Sequence, residues 1–370
     1  MSNTLDTTAL LADANIHRLV LQATLVPVTG DLFQPAGFPD IGHVIYDAPR
    51  KDGSKEKVCV VDSAASMANH LEAVSLASAQ TLELHSDLAG MPYVECVTDA
   101  PGTNNGSNPT RLVVTSLSEG HRLASSYFLD DKGKVVSNGA VSAETFAAVL
   151  RTGFGIEDLG KKTHPLPGDW WNVFRTIFRY DPNSLVHGIL FPAMGIKLSR
   201  VLTAHHEAFG ADRVGLSGVK FDKLGKTTSG QPIFPVDKET AREIRATFVI
   251  DLSLIRSFGN GDNGLNDDQK RFLLELALWK IGRLLSGPYR FRSGCDLKLA
   301  ELNRIKNGEP TKLDEQALQR DIAAIIKSAG FQDPRVIKVY WPSEELFKPA
   351  RDEEDKGKKG KEDEDEEGDE

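Results

Sequence analysis

Short runs of β-branched and aliphatic residues alternate with segments of helical period along this chain, and long Gly- and Pro-rich stretches separate them. A chain patterned this way closes neither as a helix bundle nor as an all-strand sandwich. The expectation is an α+β fold. Asn15–Val28 reads as a strand stopped by Gly30, and Lys57–Asp62 as a short buried strand. Ser63 is placed to cap a helix with Met67, Leu71 and Val74 on one face. Pro92–Val97, Arg111–Thr115, Ala246–Ser257, Tyr289–Leu299 and Arg335–Tyr340 read as further strands. Helices are expected from Ser142 to Leu150, over Trp170–Tyr180, Lys197–Phe209 and Asp268–Ser286, and from Leu313 to Ala329 before Gly330. The Lys197–Phe209 reading rests on Leu198, Val201, Leu202, His205 and Phe209 at helical spacing. A split β-α-β core of the ferredoxin type fits the opening strand–helix–strand order.

Three segments fall outside regular elements. Asp31–Arg50 carries Pro35, Gly37, Pro39, Gly42 and Pro49 and reads as a shaped loop. Pro101–Pro109 is a polar insertion, and Gly210–Pro235 is rich in Gly and Lys. From Asp352 onward almost no apolar residue occurs, so the expectation is one domain over 1–350 and a disordered acidic tail over 351–370.

That tail distorts the overall charge. The net charge is −9, but residues 351–370 carry 5 basic and 12 acidic groups. Residues 187–300 carry 17 basic and 12 acidic groups, a local net of +5. An acidic total therefore does not exclude a nucleic-acid partner, because the local field decides. The three cysteines, Cys59, Cys96 and Cys295, are widely spaced and form no Cys-x-x-Cys pair. A disulfide framework or cysteine zinc site is not expected, and a reducing cytoplasm is the natural compartment. Met1–Ala14 lacks the pattern of a secretory signal, and no apolar run is long enough to span a bilayer.

Readings as an enzyme each lack a required piece. Gly225-Lys226-Thr227 imitates a phosphate loop, but Lys220 stands where its first glycine belongs. His205-His206-Glu207, read on a helix, points adjacent histidines about 100° apart, and no i, i+4 pair completes a metal site. On that reading His205 belongs to the apolar face. Ser63, Ser116 and Ser125 lie near His121 without a Gly-x-Ser-x-Gly elbow. The expectation is no catalytic residue, no metal and no cofactor.

Binding cues are more numerous. On one strand over Tyr289–Leu299, Arg290 and Arg292 share a face about 7 Å apart, a spacing suited to successive phosphates. Lys220, Lys223 and Lys226 sit among glycines that allow close backbone approach to phosphate. His121 and Arg122 follow a strand end and can donate to phosphate or base edges. Taken alone, each cue also fits a solvated strand face, a surface loop or a capped turn.

Several blocks occur in order. They are Phe33-Gln34-Pro35-Ala36-Gly37-Phe38-Pro39-Asp40-Ile41-Gly42 and Asp62-Ser63-Ala64-Ala65-Ser66-Met67-Ala68-Asn69-His70-Leu71-Glu72. Thr115-Ser116-Leu117, Gly120-His121-Arg122-Leu123-Ala124-Ser125 and His187-Gly188 follow. Gly218-Val219-Lys220 and Arg290-Phe291-Arg292-Ser293-Gly294-Cys295-Asp296-Leu297 complete the set. Together, across about residues 16–299, they resemble the backbone RAMP subunit of the type I-G (formerly I-U) CRISPR Cascade complex.

The resemblance implies an RRM-like (ferredoxin-like) palm with inserted finger and thumb elements. It implies copies lined along a CRISPR guide RNA as a helical filament that presents the guide for pairing with target DNA. The implied partners are further copies of the chain, the guide-processing and large subunits, and a recruited helicase-nuclease. The residues assigned to RNA are Gln34, Ser66, Asn69, Ser116, His121, Arg122, Lys220, Arg290 and Arg292. Asp40, in the Gly/Pro loop, is assigned a turn role. The alternative is a metal-dependent RNA-processing endonuclease of the same superfamily.

Overall fold

A computed structural model describes residues 5–38, 42–78, 80–99, 109–156, 170–216, 236–287 and 289–346. Its main element is an eight-stranded sheet. From one edge the order is Tyr289–Arg292, Cys295–Lys306, Arg18–Pro27, Glu243–Asp251, Leu202–Phe209, Lys55–Asp62 and Ile45–Pro49, with Glu309–Lys312 also paired to 295–306. Every neighbouring pair is antiparallel. At the centre, strand 18–27 lies between 295–306 and 243–251, and 243–251 lies between 18–27 and 202–209.

Alternation drives these pairings. Leu19, Leu21, Ala23 and Leu25 face inward from the first strand, with Ile244, Ala246, Phe248 and Ile250 beside them. Leu202, Ala204, His206 and Ala208 continue the same buried face. Helices Ala64–Ala73 and Asp267–Leu285 pack over it. The long helix starts at a capping box in which Asn266 and Gln269 satisfy each other's backbone, with Asp267 and Asp268 in the first turn. Twelve of its nineteen residues are buried, so it lies inside the molecule rather than on its surface. Its buried Glu275 and Lys280 are accordingly hydrogen-bonded. Glu275 accepts two hydrogen bonds from Arg320 at 2.6 Å, and Lys280 donates to Ser75 and to the Leu71 carbonyl.

A second sheet has the order Arg111–Thr115, Tyr93–Thr98, Val336–Tyr340, Lys134–Ser137 and Ala140–Thr145, with 336–340 parallel to 93–98. Strand 93–98 therefore does not close a β-α-β unit with the opening strand. Strand 202–209, far along the sequence, instead lies two positions from the opening strand, with 243–251 between them.

Several expected elements change. Lys197–Phe209 is not a helix: strands Ile196–Leu198 and Leu202–Phe209 occupy it. The apolar residues fit a period of two as well as one of 3.6, and partners on both sides of 202–209 decide for the strand. His206 is consequently the buried histidine and His205 the exposed one. The expected strand Ala246–Ser257 ends at Asp251, whose carboxylate caps helix Leu252–Ser257. Ser142 lies within a strand, and Thr145 caps helix Phe146–Phe154. Tyr289–Leu299 is broken by Gly294, at φ +81°, into a hairpin of 289–292 and 295–306. The helix expected over Leu313–Ala329 is a 3-10 turn, Glu315–Leu318, and helix Ile322–Ser328. The stretch 101–108, Asp40, the lysines of 217–235 and the acidic tail lie outside the described residues.

Candidate nucleic-acid interface

The loop carrying Gln34 is fixed by its backbone. Phe33, fully buried, exchanges hydrogen bonds with Glu239 at 2.9 and 3.0 Å. Gln34 N–H donates to the Gly294 carbonyl at 2.9 Å, and Ala36 N–H to the Val61 carbonyl at 2.8 Å. One loop thus touches strand Val236–Thr240, the 293–294 turn and strand 55–62. The Gln34 amide nitrogen lies 2.8 Å from Nε2 of His43. The His43 Nδ1 lies 2.8 Å from Oε1 of Glu239, which also accepts from Nε of Arg213 at 3.2 Å.

Arg290 and Arg292 do not form the expected pair on one face. A bulge intervenes, so that Arg290 sits opposite Asp296 and Arg292 opposite Cys295. The Arg290 side chain is 65% exposed, with Ser293 Oγ at 3.0 Å. Arg292 is 26% exposed and is turned inward, donating to the Val61 carbonyl and to Asp62 Oδ1, each at 2.8 Å. Phe291 between them is buried, edge-on to His70 and 4.5 Å from the His206 ring.

Asp62 is the hub beneath this hairpin. Besides Arg292, it accepts from Ser66 Oγ at 3.0 Å and from the Ser63 amide, and it lies 3.2 Å from Nε2 of His70. Burial alone raises the carboxyl's pKa. The hydrogen bond with His70, the Arg292 guanidinium and the Ser66 hydroxyl outweigh it and hold the group below the ordinary Asp value. The neighbouring His206 lacks such relief. Neither ring nitrogen has a hydrogen-bond partner. Burial, only partly opposed by Asp62, pushes its pKa down to about 3.

The Ser116–Arg122 turn is anchored from below. Ser116 is buried and accepts from the Val94 amide at 3.2 Å. Arg122 stands at φ +53° with its guanidinium buried. It grips Glu72 through two hydrogen bonds of 2.5 and 2.7 Å and donates to the Gly188 carbonyl at 3.0 Å. This clasp joins the turn to helix 64–73. Between them runs a groove of about 410 Å³ lined by Asn69, Glu72, Leu76, Leu117, Ser118 and Gly120. Asn69 and His121 are exposed.

The structure thus divides the nine assigned residues. Asn69, His121 and Arg290 offer donors to solvent. Gln34, Ser66, Ser116, Arg122 and Arg292 are engaged inside the protein, and Lys220 lies outside the described residues. The supports themselves, His43, Asp62, Glu72, Arg213 and Glu239, were not singled out as site residues from sequence. Asp62 and Glu72 open and close the second resemblance block, and His43 lies one residue past the first, whereas Arg213 and Glu239 lie in none of the quoted blocks. The exposed groups suit contacts with a polyanionic backbone, and the buried ones fix where those contacts sit.

The family model described as "CRISPR-associated protein GSU0053" matches residues 19–213. No curated protein matches the chain. Among solved structures, the crystal structure of Thermofilum pendens Csc2 aligns with 85% of this chain and 86% of its own, at 11% identity and a TM-score of 0.32. At that score the likeness carries no conclusion.

Proposed function

The chain belongs to the GSU0053 family of CRISPR-associated proteins, whose model spans more than half of its length, and on that premise we propose that it is a guide-RNA-binding backbone subunit of a type I-G Cascade complex. It oligomerises along the CRISPR RNA and presents the guide for pairing with target DNA. Its further partners are the guide-processing and large subunits and a recruited helicase-nuclease. It binds rather than cuts, and it works in the cytoplasm. No helix among the described residues is long and apolar enough to cross a membrane.

The observation that carries the proposal is the family match over residues 19–213. The central strand order, 295–306, 18–27, 243–251 and 202–209, all antiparallel, supports an RRM-like palm. In such a palm an open sheet and its loops face RNA. In this reading Asn69, His121, Arg290 and Lys220 contact phosphate, ribose or base edges. Gln34, Ser66, Ser116, Arg122 and Arg292 hold the contacting segments in place.

The test is the nucleic acid that accompanies the purified chain. Co-expression with a CRISPR array is expected to give a raised 260/280 nm absorbance ratio that falls after ribonuclease treatment. Extracted RNA should have guide length. A protein-like ratio before and after treatment, with no binding to added guide RNA at low salt, would overturn the proposal.

A further inference from the structure

Two short two-stranded ribbons lie beside one another, bridged at Phe33 and Glu239. One is the Gln34 loop, whose arms Gly37–Phe38 and Gly42–His43 pair with each other. The other is the pair Asp212–Leu216 and Val236–Thr240, which frames the Gly- and Lys-rich stretch 217–235. In sequence they are some two hundred residues apart. In space they share one carboxylate.

That carboxylate belongs to Glu239, whose side chain is fully buried. Its Oε1 serves both ribbons: His43 Nδ1 lies 2.8 Å away from the first, and Arg213 Nε donates at 3.2 Å from the second. His43 in turn reaches Gln34. The Glu239 backbone is bonded in both directions to Phe33, at the root of the first ribbon. A buried carboxylate is costly unless its charge is compensated. Here Oε1 has one hydrogen-bond partner on each ribbon, so separating the ribbons would leave it with Arg213 alone. The second oxygen, Oε2, has no partner, which leaves the whole burden on Oε1.

We propose that Glu239 is a positioning residue that locks the Gln34 loop to the ribbon of strands 212–216 and 236–240, so that the two meet RNA as a single unit. The inference rests on the RNA-binding reading for its purpose, but the coupling itself can be measured without RNA. Preorganisation of this kind lowers the ordering cost of binding and shows chiefly in the dissociation rate.

The experiment compares wild type with Glu239→Gln, which keeps shape and removes charge, by backbone hydrogen exchange and by affinity for a single-stranded guide RNA. Exchange is expected to quicken together in residues 33–38 and in 212–216 with 236–240, and to stay unchanged in strand 93–98. RNA affinity is expected to fall roughly tenfold, a size typical of residues that act on a site without touching its ligand. If Glu239→Gln does not fold, His43→Gln removes one side of the lock and leaves the Arg213 pair. It should quicken the same segments. Faster exchange in one ribbon without the other would overturn the lock, as would faster exchange everywhere or affinity equal to wild type. Failure of wild type to bind RNA would instead defeat the functional reading, and the exchange result would still decide the coupling.

Discussion

At Arg290 the guanidinium projects into solvent, while two residues on, at Arg292, it is spent on Asp62 and the Val61 carbonyl. The two substitutions should therefore behave differently. Arg290→Glu is expected to leave the unfolding temperature unchanged and to weaken RNA binding. It should also reduce the magnitude of the log–log salt slope by about 0.7, the value for one phosphate contact on a single strand. Arg122→Ala should do the opposite. It leaves the buried Glu72 carboxylate without its bidentate partner, an uncompensated charge costing about 3 to 5 kcal/mol. Chemical denaturation will read that loss, and Arg122→Lys should not fully restore it, because an ammonium lacks the planar fork that gives two parallel hydrogen bonds to the carboxylate. His206 gives a pH signature. Its folded pKa, about 3, lies below the ordinary histidine value of 6.5, so the unfolded chain takes up the proton first as pH falls. The stability involved is present above pH 6.5 and is lost as pH falls toward 3. His206→Leu is expected to flatten that loss, measured by urea unfolding at pH 7 and pH 4.5. A slope unchanged by the substitution would show that other groups set the acid limb. Arg122 and His206 were both read differently in sequence, one as a surface donor and the other as one of two helical histidines. Burial of a charge depends on residues distant in sequence, here Glu72 and Gly188, and no local pattern reveals it.

Elements with strong local signals were legible. The helical period over Asp268–Ser286 marked the long helix, and Ser63 marked helix 64–73. Strand 202–209 was missed because its apolar spacing satisfied two periods at once, and only its neighbours in the sheet chose between them. The hairpin at 289–306 was read as one strand because the alternation runs through it. Gly294 breaks it, at a φ of +81° that favours glycine. A Cβ there would come within 3.2 Å of the Gln34 Cβ. Gly294→Ala is accordingly expected to cost roughly 1 kcal/mol or more. It should also loosen the Gln34 loop, visible as faster amide exchange at Gln34, whose N–H is bonded to the Gly294 carbonyl. Unchanged stability and exchange would show that the turn does not support the loop.

At the scale of the whole molecule, the strand order that supports a palm pairs strand 18–27 with strands more than two hundred residues further along, 243–251 and 295–306. Sequence patterning gave the α+β class but not this order, because pairing between distant strands leaves no periodic trace. In the candidate interface, exposed Asn69, His121 and Arg290 lie in the quoted blocks, whereas the engagement of Arg122 by Glu72 and of Arg292 by Asp62 was not legible, because it joins distant segments. The proposed role makes one demand that no isolated binding site would meet, namely that copies add in register along RNA. The direct measurement is native mass spectrometry of the purified chain with unstructured single-stranded RNAs of two lengths, one double the other. The number of bound copies is expected to double with length, with adjacent copies binding cooperatively. One copy on either RNA, or none, would contradict the assignment as a guide-RNA backbone subunit.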